Sequence, residues 1–199
     1  MDRSIPFKNI IMKCSEYSPC EPRLPEGFSV VSYKPGYEYD WARLEYNLGD
    51  FSSPEEAGDY FRDHYMKDPD LLMDRCRFLL NPRNEVIGAC IAWNDDRDGS
   101  RVSSLHWLVV DNRYRGLGLG KALCVDAMNT FLETTGLPVY IHTQPWSWKA
   151  VLLYLSLGFR LQKSDTFSNY VNEYPDAMAV LKSVVSEAQY QLMVDFSER

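Results

Sequence analysis

From Val109 to Leu123 the chain reads VVDNRYRGLGLGKAL, and this stretch constrains the fold most tightly. An apolar, strand-like run ends at Val110, glycine takes every second position at Gly116, Gly118 and Gly120, and a helical pattern continues to near Gly136. Glycine removes the side-chain wall, so a ligand can approach main-chain N–H groups that another residue would shield. Because these residues open a helix, their N–H groups lack intrahelical acceptors and lie at the positive end of the helix dipole. The turn is therefore a seat for phosphate oxygens, with Arg113, Arg115 and Lys121 adding charge around it.

Two familiar phosphate motifs fail against these residues. A Walker loop needs glycine where Arg115 stands and serine or threonine after Lys121. A Rossmann fingerprint needs glycine at Lys121 if counted from Gly116, or at Leu123 if counted from Gly118.

The flanking chain supplies the architecture. Residues 1–27, with Pro6, Pro19, Pro22 and Pro25, read as an extended lead-in across the surface. Phe28–Tyr33 is a first strand, and helices are predicted over Glu38–Leu48 and Pro54–Lys67. The second has a start signal in Ser53, Pro54, Glu55 and Glu56. Cys76–Leu80, the turn Asn81–Asn84 and Glu85–Trp93 form a hairpin, and a polar loop, Asn94–Ser100, leads to a strand at Arg101–Val110. After the glycine turn and its helix come a strand at Val139–Gln144, a helix at Trp146–Leu157 closed by Gly158, and strands at Phe159–Lys163 and Asp176–Ser183. A C-terminal helical extension covers 184–199. Meander and strand-helix-strand crossovers together predict an α/β (α+β) fold with a mixed sheet covered by helices, as one domain over 1–199.

Charge and cysteine usage narrow the partners. With 21 basic and 28 acidic residues and a net charge of -7, no basic block exists to track a phosphate backbone, which argues against nucleic acid. A negative field favours cationic small molecules or basic peptides, although solubility alone selects such a charge. The five cysteines, Cys14, Cys20, Cys76, Cys90 and Cys124, are scattered without a CxxC pair, so neither a disulfide framework nor a metal site is expected. No signal-peptide core or long apolar run is present, which points to a cytoplasmic protein without a membrane partner.

Arg115–Gly120, read as Arg/Gln-x-x-Gly-x-Gly/Ala after a strand ending Leu108-Val109-Val110, resembles the coenzyme A pyrophosphate loop of the GNAT superfamily of acyl-CoA-dependent N-acyltransferases. A second stretch, AVLLYLSLGFR at Ala150–Arg160, resembles that family's A-(I/V)-x-L-Y-x-x-L-G-F segment. The two signatures and the elements between them cover about Arg77 to Lys163. The resemblance implies a GNAT-like, largely antiparallel mixed sheet, splayed between the strands flanking the loop helix, with helices on both faces.

It also implies roles. Main-chain groups of Leu108, Val109 and Val110 would receive the pantetheine arm of acetyl-CoA, the cosubstrate. Arg115, Gly116, Leu117, Gly118, Leu119, Gly120 and Lys121 would hold its pyrophosphate. An amine would attack the thioester, with the Leu108 N–H stabilising the oxyanion. Tyr154, the tyrosine of the second signature, would act as general acid, since a phenol with a pKa near 10 stays protonated at neutral pH and can donate to the departing thiolate. The alternative is a tyrosine that packs its helix on the sheet. His106 is the candidate base, at a strand position where serotonin-type arylalkylamine acetyltransferases of the family carry histidine. Alternation would put Ser104, His106, Leu108 and Val110 on one face. The alternatives for His106 are a hydrogen-bonded core histidine and a water relay. His142, on a strand near the cofactor cleft, and His64, on a surface helix, are weaker candidates. Where the family often has an asparagine contacting coenzyme A, this chain has Ser147, a shorter donor or acceptor.

The family builds much of its acceptor pocket from the helices after the first strand. Here these carry Asp40, Glu45, Asp50, Glu55, Glu56 and Asp59 among Trp41, Tyr46, Phe51, Tyr60 and Phe61. Some could hold a cationic amine; as amphipathic helices, they would instead turn acids to water and aromatics to the core. A small amine, amino acid, aminoglycoside or peptide N-terminus all remain open as acceptor. Two functions compete: an N-acetyltransferase, monomeric or homodimeric, and a catalytically idle acyl-CoA-binding sensor or partner module.

Overall fold

The computed structural model describes residues 2 and 4–198. In chain order the elements are β1 (Ile10–Cys14), β2 (Ser29–Ser32), α1 (Tyr37–Leu48), α2 (Pro54–Tyr65), α3 (Pro69–Arg75), β3 (Cys76–Leu80), β4 (Val86–Arg97), β5 (Ser100–Val110), α4 (Leu119–Thr134), β6 (Val139–Thr143), α5 (Trp148–Leu155), β7 (Arg160–Gln162), α6 (Tyr174–Val184), α7 (Glu187–Asp195) and β8 (Ser197–Glu198). The fold is mixed α/β. Strand pairs β5–β6 and β7–β8 are parallel, and β1–β6, β1–β7, β2–β3 and β3–β4 are antiparallel. The chain forms two compact units. One, Pro19–Trp93 with Leu105–Thr134, carries the glycine turn; the other comprises residues up to Ser18, Asn94–Ser104, and Thr135 onward.

In the turn-bearing unit the strands follow the order β2-β3-β4-β5, so sequence neighbours are sheet neighbours. Side-chain alternation assigns the two faces. Cys76, Phe78 and Leu80 of β3 join Ala89 and Ile91 of β4 in a core with Trp41, Leu44, Phe61 and Tyr65 of α1 and α2. On the opposite face Arg77 reaches α4, with Nε 3.0 Å from Asp126 Oδ2 and 3.3 Å from Thr130 Oγ1. Both faces are covered, which is why CRFLL and VIGACIAW are almost continuously apolar. The start signal of α2 forms as the residue types dictate, Ser53 Oγ accepting from the Glu56 N–H behind Pro54. Helix α3, too short to reveal a period in sequence, starts the same way on Asp68, which accepts from the Leu71 N–H.

Gly88 of β4 shows how closely the strands approach. A Cβ there would lie 2.7 Å from the Val109 carbonyl oxygen and 3.2 Å from Leu123. Only a residue without a side chain leaves Val109 and α4 where they are.

In the other unit the strand order is β5-β6-β1-β7-β8. Here three expectations fail. The N-terminal lead-in does not keep to the surface: Ile10–Cys14 is β1, flanked on both sides by β6 and β7, with Ile10, Ile11, Met12 and Cys14 buried. The β-branched pair Ile10–Ile11 favours a strand, and its partners come late in the chain. Asn94–Ser100 is not a loop either. Strand β4 continues to Arg97 and β5 begins at Ser100, joined by Asp98 and Gly99, both left-handed (φ 53° and 78°), as a two-residue hairpin turn requires. Finally, Asp176–Ser183 lies in helix α6, not in a strand. Pro175 occupies its first turn, and the buried Ala177, Met178 and Leu181 fall at helical spacing. Helix α7 then starts on a capping box between Ser186 and Gln189, and Ser197–Glu198 pairs with β7.

Polar pairs tie this unit across long sequence separations. Asp165 accepts from Lys13 Nζ at 3.1 Å, Arg97 Nη2 at 2.6 Å and Tyr140 Oη at 3.1 Å, and Arg97 also meets Tyr140 Oη. Burial pulls the Asp165 carboxyl upward, but the hydrogen bonds from Lys13 and Tyr140 and the Arg97 charge outweigh it and hold it below its ordinary value.

Candidate active site

Strand β5 delivers the first group of candidate residues in the turn-bearing unit. His106 Nδ1 lies 2.8 Å from Tyr65 Oη on α2, and Tyr65 is almost fully buried against Phe61 and Trp93. The next residue, Trp107, has left-handed backbone (φ 49°), an outlier for so bulky a side chain that costs roughly 1–3 kcal/mol. It also breaks the alternation expected from sequence. His106 and Trp107 are consecutive, yet both meet α2, the first through Tyr65 and the second through Tyr60 at 5.3 Å between ring centroids. Strict alternation of His106, Leu108 and Val110 on one face therefore does not hold. Leu108 and Val110 are half-buried and Val109 is buried.

The glycine turn follows directly. The Asp111 N–H donates to the Ile87 carbonyl at 2.8 Å, fixing the strand end. Asn81 Nδ2 donates to Tyr114 Oη at 2.9 Å, and Tyr114 packs edge-on against Phe28. Gly116 and Gly118 are left-handed (φ 83° and 76°), and beyond their chain neighbours no atom of the described residues lies within 4 Å of where a Cβ would sit on either. Their glycine identity answers to backbone conformation and leaves the space above the turn open. Helix α4 then opens at Leu119, with the Ala122 N–H bonding back to the Gly118 carbonyl. Arg115, Gly116, Leu117, Gly118 and Lys121 are exposed and Leu119 is buried. One expected charge is spoken for: Arg113 grips Asp111, with Nη2 2.7 Å from Oδ2, and this contact holds the Asp111 carboxyl below its ordinary value. Arg115 and Lys121 add exposed positive charge at the turn.

The remaining candidates belong to the other unit. Tyr154 is buried on α5, its ring 5.9 Å from Phe159, and its carbonyl accepts from the Leu157 and Phe159 N–H groups. Ser147 precedes α5, with Oγ accepting from Gln144 Nε2 at 3.2 Å. His142 on β6 pairs with Asn9 Oδ1 at 2.8 Å and stacks on Tyr170 at 3.8 Å, the contacts of a packed histidine. His64 is exposed and stacks on Tyr60.

Thus one unit brings together His106, Leu108–Val110 and Arg115–Lys121, while Ser147 and Tyr154 lie in the second. Two residues beside His106 had escaped sequence reasoning. Tyr65 appears in sequence only as one more aromatic at helical spacing, and nothing local signals its bond to His106. Trp107 looks like a regular strand residue until its φ is known.

A family model described as the acetyltransferase (GNAT) family matches residues 37–159, and the chain belongs to that family. Among curated proteins, the mycothiol acetyltransferase of Salinispora tropica is 32% identical over 144 residues, covering 70% of this chain and 47% of its own length. That of Streptomyces coelicolor is 33% identical over 148 residues, covering 73% and 47%. The chain spans about half the length of the curated relatives it matches. Of solved structures, a GCN5-related N-acetyltransferase from Sphaerobacter thermophilus superposes with a TM-score of 0.59 at 21% identity over 78% of this chain and 49% of its own. A Trypanosoma brucei acetyltransferase gives 0.52 at 20% identity over 72% and 99%. At those identities the likeness is one of fold. No helix among the described residues is long and apolar enough to cross a membrane.

Proposed function

We propose that the chain is an acetyl-CoA-dependent N-acetyltransferase acting on a primary amine of a small molecule or peptide by direct attack. The observation that carries this reading is the pair of left-handed glycines, open above, that leads from β5 into α4. The coenzyme's pyrophosphate would take main-chain N–H donors between Arg115 and Lys121, with those two side chains as counter-charges. Its pantetheine arm would pair with main-chain groups of Leu108–Val110, and Ser147 would add a hydroxyl contact.

In the reaction the amine nitrogen bonds to the thioester carbonyl carbon and the C–S bond breaks. The Leu108 N–H stabilises the intermediate oxyanion, the departing thiolate takes a proton from Tyr154 Oη, and the amine's proton goes to His106. For that last step Nε2 must carry the lone pair. In that tautomer Nδ1–H donates to Tyr65 Oη, a contact of 2.8 Å that holds the orientation of the imidazole. A cytoplasmic location and a monomeric or homodimeric state complete the reading.

Thiol release from acetyl-CoA across an amine panel, including a mycothiol-related acceptor of the kind named by the relatives, is the test. Amine-dependent release supports the enzyme. Tight acyl-CoA binding with no release on any amine would overturn it in favour of the idle sensor or partner module.

A further inference from the structure

The segment that would hold the coenzyme's pyrophosphate is itself almost bare. Arg115, Gly116, Leu117 and Gly118 are all exposed, and beyond chain neighbours no atom of the described residues lies within 4 Å of a Cβ built on either glycine. Main-chain donors in such a segment keep their aim only if its ends are held, because every residue ordered at the moment of binding subtracts from affinity.

The β3–β4 hairpin holds the end that leads in. Leu79 lies opposite Gly88 and Leu80 opposite Val86, so Ile87 is an extra residue, a bulge that bends its strand. The Ile87 carbonyl accepts from the Asp111 N–H at 2.8 Å. Three residues on, Tyr114 Oη accepts from Asn81 Nδ2 at 2.9 Å, and the Tyr114 ring meets Phe28 edge-on at 6.0 Å. Tyr114 is half-buried, and the exposed segment starts at the next residue.

Asn81 is placed to make that contact. It is 2% exposed, and its Oδ1 accepts from the N–H groups of Arg83 at 2.9 Å and Glu85 at 3.0 Å. One Nδ2 hydrogen goes to Glu85 Oε2 at 2.6 Å. These bonds close the hairpin turn and fix the amide plane, so the direction of the other Nδ2 hydrogen is set, and it meets Tyr114. Without the phenol oxygen that buried donor would lose its partner.

We infer that Asn81 and Tyr114 are positioning residues for the pyrophosphate of an acyl-CoA. They fix the entry to the glycine turn and so preorganise the donors from Arg115 onward, without touching the ligand. The inference rests on the acetyltransferase reading for the identity of the ligand; the anchoring of the turn does not depend on it.

Tyr114→Phe is the test, since it removes the acceptor and keeps the ring against Phe28. Coenzyme A is the probe, titrated into the whole chain by calorimetry, and hydrogen exchange of the free protein is read by mass spectrometry. The Kd for coenzyme A is expected to rise about tenfold, and amides of residues 112–121 should exchange faster while those of α1 and β6 keep wild-type protection. Asp165→Asn, which weakens the other unit, should leave the Kd within about twofold and the exchange of the turn unchanged. Coenzyme A binding within about twofold of wild type in Tyr114→Phe, an equal weakening in Asp165→Asn, or faster exchange throughout the chain would overturn the positioning role. A wild-type chain that binds no coenzyme A would overturn the acetyltransferase reading, a result distinct from a variant that binds it as well as wild type does.

Discussion

The two units of the chain are held by different means. The turn-bearing unit is a meander in which each strand pairs with its sequence neighbour, and an aromatic core from α1 and α2 fills one face. The other unit assembles strands from both ends of the chain, with β1 between β6 and β7 and β8 pairing with β7. Polar groups far apart in sequence tie it together: Lys8 and the Asn9 N–H with Glu173, Lys13 and Arg97 with Asp165, and His142 with Asn9. The difference teaches where each kind of function can sit. The locally built unit carries the strained Trp107 and the glycine turn on a sheet covered on both faces, whereas the second unit, which carries Ser147 and Tyr154, is closed by half-buried polar pairs.

Five substitutions sharpen or break that contrast. The largest effect is expected in the second unit, at Tyr154. If its phenol is the general acid, Tyr154→Phe keeps the ring against Phe159 and lowers kcat by about 10²- to 10⁴-fold at unchanged stability. Turnover within a fewfold of wild type would return Tyr154 to a packing role.

In the turn-bearing unit, His106→Gln should slow turnover about 10²-fold and remove the limb of the pH–rate profile that reports deprotonation of the base. Tyr65→Phe should move that limb with a smaller loss, because it removes the hydrogen bond at Nδ1 and leaves the imidazole. A profile unchanged in both variants would take histidine out of the mechanism.

Gly118→Ala tests the turn. Alanine in the left-handed region costs about 1–2 kcal/mol, and the open space above the turn means that no packing is disturbed. The KM for acetyl-CoA should rise about tenfold with little change in kcat. Equal loss of donor and acceptor affinity would point to general unfolding instead.

The smallest effect is a matter of stability and belongs to the clamp. Asp165→Asn should destabilise by about 1–2 kcal/mol, allowing for solvent screening at the half-exposed Arg97. The folded carboxyl titrates below its ordinary value. Its contribution is therefore complete above the unfolded value, roughly 3.9, and is lost as pH falls through the folded one. Chemical denaturation of the two proteins should differ at neutral pH and converge in acid. A difference that persists in acid would mean that Asp165 acts through packing and not through its charge.

Legibility in the sequence followed the same division. The hairpin β3–β4, helices α1 and α2 and the glycine turn with α4 are all visible in Cys76–Val110 and its flanks, because their determinants are local: caps, turn residues and apolar periodicity. In the second unit Ile10–Cys14 looked like part of a proline-rich lead-in, and Asp176–Ser183 like a strand. The first needs partners that lie at the far end of the chain, and the second is short enough for apolar residues to fit either period. Within the candidate site, the residues of the loop could be named from spacing alone. The Tyr65–His106 bond and the backbone of Trp107 could not, since each depends on how α2 meets β5.

By itself the sequence determined the family signature and the glycine turn, for glycine at Gly116 and Gly118 is demanded by backbone conformation, a property of the residue and its immediate neighbours. Tertiary structure alone decided that Gly88 yields room to the Val109 carbonyl, that Trp107 has a left-handed backbone and meets Tyr60, and that β1 lies between β6 and β7. Each of these depends on atoms brought close by folding, and a short stretch of sequence carries no record of what packs against it.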